Sequence, residues 1–284
     1  MSVVIGTERK SPKYRIFYSL LIIVLSVGVI IQVFPLIWMV ASSVKDSSEI
    51  FQMPPRLFAK NPNWHTYKDV LSLLPVSRYF LNSIIRVAGV IALQVSTSAL
   101  AAYALSHSNL PGKKGFLLFF LGTMMIPFEI ILIPTFLLLK NMGLINTFWG
   151  IILPFTAWGW SLFLLKGFFD GIPKDLLDAA RIDGASEFHI FARIIVPLSK
   201  PVLAVVTLMT FLSVWNDFLF PFVVAPQEKM WVLMVAVFNI QNSAVVPWNQ
   251  IMALLSLCTI PLLLVFLFCQ RYIVEGITMT GLKG

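Results

Sequence analysis

The sequence has 284 residues, of which 58% are hydrophobic and only 12% are charged, and its mean hydropathy is +0.87. These values lie outside the range of soluble globular domains and place the chain in a lipid bilayer. The net charge of +8 does not indicate a nucleic-acid-binding protein, because the basic residues are spread between apolar blocks rather than gathered on one polar surface.

Six segments are apolar over the roughly 20 residues that a helix needs to cross the hydrocarbon core of a membrane. They predict an all-α integral membrane protein whose permease-like domain, residues 16–273, contains six transmembrane helices. The predicted spans are residues 16–41, 80–105, 116–139, 145–169, 202–225 and 251–273. Residues 1–15 are predicted to be a cytoplasmic N-terminal segment, and residues 274–284 a cytoplasmic C-terminal tail. The first apolar run is longer than the core of a signal peptide, so we interpret it as a membrane anchor.

The orientation follows from Lys and Arg, which accumulate in cytoplasmic segments. If the N-terminus is inside, the cytoplasmic segments carry more of these residues than the outer loops, so both termini are expected in the cytoplasm. The outer loop 42–79 contains several prolines and is expected to be irregular. The outer loop 226–250 remains apolar enough for a re-entrant or interfacial helix. The connection 170–200 is the most charged stretch of the chain and is predicted to be cytoplasmic.

The 170–200 loop has the pattern of two short helices joined by a tight turn. Pro173 and the acidic residue Asp175 suit the start of the first helix, and Gly184 suits its end. Leu176, Leu177 and Ala180 form the apolar face of the first helix. A second apolar stripe is predicted on the following helix, which runs to Pro197, and it contains Ala185, Phe188, Phe191, Ala192 and Ile195.

Small residues in this loop have a specific spacing. Asp178-Ala179-Ala180 is followed by Gly184, and after nine further residues by Ile194-x-Val196-Pro197. This arrangement resembles the EAA loop of bacterial ABC importer permeases, whose pattern is E-A-A-x-x-x-G, nine residues and I-x-L-P. The sequence departs from it by Asp for Glu and by Val for Leu, which keeps the charge and the apolar character. The shorter Asp178 reaches less far towards a partner cation.

The resemblance extends over nearly the whole chain and is closest to the carbohydrate-uptake branch, similar to the smaller permease of maltose importers. The segments that carry it are Pro35-Leu36-Ile37-Trp38-Met39, Ser42-Ser43-Val44-Lys45, Asn82-Ser83, Trp215-Asn216-Asp217, Glu275-Gly276-Ile277-Thr278 and Gly281-Leu282-Lys283-Gly284. It implies a multi-pass subunit of the bacterial cytoplasmic membrane, in contact with membrane lipid. The implied partners are a second homologous permease, a dimer of ABC ATPase subunits and an extracytoplasmic solute-binding protein.

In that family the loop forms a coupling helix that fits a cleft on the ATPase. Carried over by position, the implied coupling residues are Asp178, Ala179, Ala180, Asp183, Gly184, Ala185, Phe188 and Pro197. ATP and Mg would be bound by the partner ATPase. The plain alternative is a surface helical hairpin with no docking role, and the spacing match favours docking.

Polar residues inside the predicted spans are candidates for a substrate path, because a charge at the centre of a helix in a membrane costs about 2.5 to 3.5 kcal/mol on insertion scales. Glu129 lies between two prolines of the third span and either lines a cavity or locks helices together. Trp215, Asn216 and Asp217 can bind a sugar or form a polar clamp between helices. Asn82 opens the second span and joins this set, whereas Arg86 in the same span is expected to extend to the membrane surface.

No phosphate-binding loop of the form G-x-x-x-x-G-K-[ST] is present in the sequence, and the histidines are isolated. We therefore expect no catalytic residue, no metal site and no cofactor in this chain. Two other classes stay open beside a sugar importer permease. A self-contained secondary transporter would need internal repeats and paired ion-coupling groups, and a non-transporting membrane scaffold would have no use for intramembrane polar residues. A glycerol phosphate permease is the alternative within the same family.

Overall fold

The computed structural model describes residues 12–73, 75–242 and 246–280, and within these ranges the chain is helical with no β-strand. Three helices are long and apolar enough to cross a membrane without interruption. They are α1 (Pro12–Ser43), α4 (Val76–His107) and α15 (Trp248–Thr280). Their positions agree with the first, second and sixth predicted spans.

The shorter helices lie between these three. In chain order they are α2 (Ser47–Ile50), α3 (His65–Leu73), α5 (Lys113–Thr123), α6 (Phe128–Asn141), α7 (Phe148–Ile152), α8 (Gly159–Phe169), α9 (Lys174–Ile182), α10 (Glu187–Ile190), α11 (Val196–Leu198), α12 (Lys200–Asn216), α13 (Leu219–Val224) and α14 (Leu233–Gln241). Two 3-10 turns, Leu153–Phe155 and Glu228–Met230, and a π-helical turn, Phe191–Ile195, complete the described part of the chain.

The third, fourth and fifth predicted spans are not continuous helices. α5 and α6 are bent by 98°, the helical segments 148–155 and 159–169 by 46°, and the segments 187–198 and 200–216 by 80°. A proline lies in each break or two residues before it. A proline removes a helical hydrogen bond and disfavours the helical conformation of the residue before it. Pro127 precedes α6, Pro154 lies between α7 and α8, and Pro197 lies just before the start of α12. By length and composition alone, the described part of the chain therefore has three uninterrupted candidate spans, or up to six if each bent pair crosses once.

The residues cluster into two compact units, and each is described by itself. The first unit comprises Met1–Leu74 and Ser243–Leu257, as far as these are described. In it α1 is exposed along most of its length. At its end the loop is fixed by Lys45, whose Nζ donates to the Arg56 carbonyl at 2.6 Å and lies 4.2 Å from the Trp38 ring centroid.

The second unit, Pro75–Asn242 and Cys258–Gly284, is organised around α4, which packs against α8, α12, α7 and α14. Gln94 of α4 donates to the Ser161 hydroxyl of α8 at 2.7 Å, a hydrogen bond that connects the two packed helices. Within the outer loop 226–250, residues Leu233–Gln241 form α14, in which Val235 and Ala236 are fully buried. α14 is thus a packed helix of the second unit.

Candidate functional site

The 170–200 loop folds as two short helices that meet at a glycine turn, as the sequence predicts. α9 follows Pro173, and Gly184 has a φ of +82°, in the region that favours glycine. The Gly184 amide donates to the Arg181 carbonyl and the Ala185 amide donates to the Ala180 carbonyl, each at 3.0 Å. These two bonds form a Schellman motif, which satisfies carbonyls at the C-terminus of α9.

One side of the loop is packed into the core of the second unit. Leu177 of α9 is 1% exposed, and Ile190 and Ile195 are fully buried. They belong to an apolar cluster with residues of α4, α8 and α12, which include Ala102, Tyr103, Leu165, Phe169, Val202 and Val206. The loop is therefore packed against the ends of α4, α8 and α12.

The second apolar stripe was predicted correctly for Ile195 and wrongly for Phe188. Phe188 is 73% exposed, and Ile190, which the prediction omitted, points into the cluster. The reason is the π-helical turn Phe191–Ile195, which replaces the α-helical spacing of three and four residues by one of five. Ile190 and Ile195 are five residues apart and consequently share the buried side.

A charged network holds the two helices of the loop together. Arg181 bonds to an Asp178 carboxylate oxygen through Nη1 and to a Glu187 carboxylate oxygen through Nε, each at 2.7 Å. The Tyr103 hydroxyl of α4 also donates to Glu187. The hydrogen bonds from Arg181 are the main cause that lowers the pKa of Glu187, and the Glu187 carboxylate is the main cause that raises the pKa of Arg181. Because these side chains are partly exposed, each pair adds little stability, and its effect is to fix geometry.

The other side of the loop presents apolar groups to the surroundings. Phe188 and Ile182 are 73% and 87% exposed, and the residue that follows each in the sequence lines an open pocket of about 600 Å³. The pocket is lined mainly by small and polar residues, namely Ala180, Asp183, Gly184, Ala185, Ser186, His189 and Ile194. Exposed large apolar side chains next to a concave surface are typical of a protein interaction site.

Most of the predicted coupling residues are accessible. Asp178, Ala179, Asp183, Gly184, Phe188 and Pro197 are exposed, whereas Ala180 and Ala185 are partly buried. The sequence reasoning missed Glu187, the residue that joins both helices of the loop to α4. The signal for it was its place in the first turn after Gly184, within reach of Arg181.

The predicted substrate-path residues do not converge on one open site. Asn82 is 6% exposed, and its amide nitrogen donates to the carbonyls of Lys229 at 3.0 Å and Trp231 at 2.9 Å. These bonds connect α4 to the segment before α14. Asn82 therefore has a role in helix packing, and no ligand is needed to explain its burial.

Trp215-Asn216-Asp217 divides into three different environments. Trp215 is 3% exposed and donates through its indole nitrogen to the Cys258 carbonyl at 3.2 Å. Asp217 forms an ion pair with Arg86 at 2.5 Å. Asn216 is exposed and donates to the Leu212 carbonyl in the preceding turn. Of the three, only Asn216 offers an exposed polar side chain.

Glu129 lies in the first turn of α6, directly after the break that follows α5, rather than in the middle of a continuous helix. Its side chain is exposed. A carboxylate at this position interacts favourably with the N-terminal end of the α6 dipole. Glu129 thus stays available to a ligand or to a neighbouring helix.

Arg86 does not extend to the membrane surface as expected from the sequence. It is 1% exposed and its guanidinium is directed at Asp217 and at backbone carbonyls. Opposite charges in the second and fifth predicted spans were the available signal for this pair. Among the residues that the structure describes, no group of three or more His, Cys, Asp or Glu side chains is arranged to hold a metal ion.

Residues 94–279 match the family model of the binding-protein-dependent transport system inner membrane component. The arabinooligosaccharides transport system permease protein AraQ of Bacillus subtilis (strain 168) is 29% identical over 283 residues, which is 97% of this chain and 99% of that protein. The sn-glycerol-3-phosphate transport system permease protein UgpE of Yersinia pestis is 31% identical over 266 residues, 90% of this chain and 94% of that protein.

The fold has a counterpart among solved structures. A chain in the crystal structure of a bacterial ABC transporter involved in the import of the acidic polysaccharide alginate superimposes with a TM-score of 0.84, at 23% sequence identity. The match covers 93% of this chain and 98% of that chain. At this level of identity the likeness concerns the fold.

Proposed function

Because the chain belongs to the family of binding-protein-dependent transport system inner membrane components, we propose that its 170–200 loop docks on a separate ATPase and passes that protein's movement to the membrane helices. The chain is a membrane permease subunit of an ABC importer, and its relatives are transport permeases. The docking step is the part that the proposal adds.

The proposal that the loop docks on an ATPase rests on one observation: some apolar side chains of the loop are exposed, and others are buried in the core of the second unit. The exposed surface of the loop carries Phe188 and Ile182, whose neighbours in the sequence, Asp183 and His189, line an open pocket where a partner can bind. On the other side Leu177, Ile190 and Ile195 are packed against α4, α8 and α12. A side chain that is buried among three helices cannot move alone, so a displacement of the loop displaces the ends of those helices.

The assembly that fits this chain contains a second homologous permease, two ATPase subunits that bind ATP and Mg, and an extracytoplasmic solute-binding protein. The permease domain, residues 16–273, lies in the bacterial cytoplasmic membrane, and the termini and the 170–200 loop face the cytoplasm. The distribution of Lys and Arg supports this orientation. Closure of the ATPases on ATP then opens the pathway outward, and hydrolysis returns it.

The substrate that we propose is a neutral sugar or short oligosaccharide, as for AraQ. A phosphorylated ligand such as the glycerol phosphate of UgpE is best bound by a cationic side chain that is free to face the substrate path. Within α4 the guanidinium of Arg86 is occupied by Asp217 and by backbone carbonyls, so it is not free to bind a phosphate. This occupation favours the sugar.

Docking is tested by purification of the tagged chain in a mild detergent, with mass spectrometry of the proteins that accompany it. Gly184→Val places a branched side chain at a φ of +82°, where such residues are strained. Gly184→Asn is the matched control, since Asn tolerates this region. We expect an ATPase and a second permease with the wild type and with Gly184→Asn, and loss of the ATPase with Gly184→Val. Equal recovery of the ATPase with both variants would contradict docking through this turn.

The substrate is tested by uptake of labelled arabinotriose and labelled sn-glycerol 3-phosphate into cells with and without the chain. Uptake of the sugar that depends on the chain supports the proposal. Uptake of glycerol phosphate alone would indicate a glycerol phosphate permease instead. Uptake that depends on an ion gradient rather than on ATP would indicate a secondary transporter.

A further inference from the structure

Arg86 makes a dense set of contacts for a side chain inside a membrane protein. Its Nε donates to the Ile151 carbonyl at 3.2 Å, and its Nη1 donates to the carbonyls of Val214 at 3.1 Å and Asp217 at 3.3 Å. Its Nη2 donates to Asp217 Oδ2 at 2.5 Å. The Phe155 ring centroid lies 5.2 Å from the guanidinium carbon. One guanidinium on α4 thus binds groups from two other parts of the chain.

The carbonyls that Arg86 binds lie at helix breaks. Ile151 is in the last turn of α7, just before the 3-10 turn Leu153–Phe155, and Val214 is in the last turn of α12. In a helix the last carbonyls have no partner four residues further along, and in a membrane water does not replace that partner. Arg86 supplies the missing donors at both ends.

Asp217 extends the same connection to a fourth helix. Its backbone is extended, with a ψ of 116°, and separates α12 from α13. While Oδ2 pairs with Arg86, Oδ1 accepts a bond from the Phe220 amide in the first turn of α13 at 3.2 Å. The ion pair therefore fixes α7, α12 and α13 on α4. We refer to Arg86 and Asp217 together as the Arg86–Asp217 clamp.

α4 makes a second set of contacts, with the 170–200 loop. Tyr103 lies in the apolar cluster that contains Leu177, Ile190 and Ile195, and it donates to Glu187. Arg86 and Tyr103 are separated by about 26 Å along α4 at 1.5 Å per residue. Both connections include α12, and between them the helical path through α7 and α8 is bent by 46°. Such a bend can flex unless something holds it.

We propose that Arg86 and Asp217 are positioning residues of the transport cycle, which keep these breaks in one geometry on α4 so that movement of the 170–200 loop reaches the opposite end of the helices. Without the clamp the breaks absorb the movement. ATP is then still hydrolysed, but less substrate crosses for each ATP. This inference rests on the proposed function, because it assumes that the loop receives movement from an ATPase.

The test uses the whole importer, purified with its partner subunits and reconstituted in lipid vesicles, in which ATP hydrolysis and uptake of labelled arabinotriose or sn-glycerol 3-phosphate are measured together. Asp217→Asn removes the charge and keeps the oxygen that caps α13. Arg86→Lys keeps the charge and loses the planar arrangement of donors. We expect uptake per ATP to fall about tenfold in Asp217→Asn and less in Arg86→Lys, with hydrolysis within about twofold of the wild type.

A parallel fall of uptake and hydrolysis, or no change in either, would overturn the inference, because a purely structural role or no role would give those results. If Asp217→Asn does not assemble, the combination of Arg86→Met with Asp217→Leu replaces it, since it leaves no unpaired charge. The same loss of uptake per ATP is expected there, and an unchanged ratio would overturn the inference. If the wild-type chain purifies without an ATPase, the proposed function is refuted instead, and the inference with it.

Discussion

The 170–200 loop and the Arg86–Asp217 clamp both contain ion pairs, but the two regions use them differently. In the loop the partners of Arg181 are three and six residues away, and their carboxylates are more than half exposed. In the clamp the ion pair joins residues 131 positions apart, and Arg86 is 1% exposed. Exposed pairs contribute little to stability, whereas a buried charge that loses its partner is costly. We therefore expect the loss of an ion pair in the loop to cost little stability, and the loss of one charge of the clamp to cost considerably more.

The largest effect is expected when the clamp loses only its cation. Arg86→Met leaves the Asp217 carboxylate without its partner and removes the donors to the Ile151 and Val214 carbonyls. We expect a loss of about 3 to 5 kcal/mol in the free energy of unfolding. Thermal unfolding of the detergent-purified chain measures it, and the added substitution Asp217→Leu should recover a large part. An unchanged unfolding midpoint in Arg86→Met would mean that the clamp contributes no more to stability than the ion pairs of the loop.

The second effect concerns the buried side of the loop. Leu177 is 1% exposed in the cluster with α4, α8 and α12, so Leu177→Ala creates a cavity there. We expect a loss of about 2 to 5 kcal/mol, confined to the loop and the adjacent helix ends. Hydrogen exchange should show faster exchange of the α9 and α10 amides while the amides around Arg86 keep their protection. The exposed neighbour Leu176 provides the control, since Leu176→Ala removes the same atoms at a site that is 44% exposed.

The third effect is on binding rather than stability. Phe188 is 73% exposed and makes no contribution to the buried cluster, so Phe188→Ala should leave the unfolding midpoint unchanged. If the loop docks on an ATPase, the affinity for that subunit should fall by about tenfold, as for an aromatic residue at the centre of an interface. Titration of the purified permease complex with the ATPase measures this. Equal affinities of wild type and variant for the ATPase would mean that Phe188 is not part of the docking surface.

The two regions also differ in how much of them could be predicted from the sequence. The helices and the turn of the 170–200 loop follow from Pro173 and Gly184, which act on the residues next to them. The positions of the breaks near Pro127 and Pro154 are local in the same way. The partner of Arg86 is not local, because only the fold brings residues 86 and 217 together, and hydropathy alone placed that arginine at the surface of the membrane.

One error within the loop has a different cause. The second apolar stripe was predicted with α-helical spacing, and the π-helical turn after Ile190 changes that spacing by one residue, so Phe188 and Ile190 exchange their expected places. No property of the side chains in this stretch marks a π turn. The exposure of Phe188 became apparent only in the folded chain, and it is compatible with the coupling role that the family resemblance implies for this residue.

The smallest effect is expected from pH. Glu187 has a lowered pKa, chiefly because Arg181 donates to it and then because Tyr103 does, while burial acts in the opposite direction. A carboxyl whose pKa is lower in the folded than in the unfolded chain stabilises the folded state above its unfolded pKa, and this contribution disappears as the pH falls through the folded pKa. The connection from Arg181 to Glu187 should therefore be constant from about pH 5.5 to 8 and weaken only below about pH 4.

Glu187→Gln should reproduce at neutral pH the local loosening that the wild type shows in acid, by less than about 1 kcal/mol because the pair is partly exposed. Hydrogen exchange of the α10 amides, compared at pH values on either side of this window after correction for the intrinsic exchange rate, measures both. A transition near neutral pH in the wild type would mean that a group other than Glu187 controls the loop. His107, the other titratable group whose charge acts on Glu187, would then be the residue to replace.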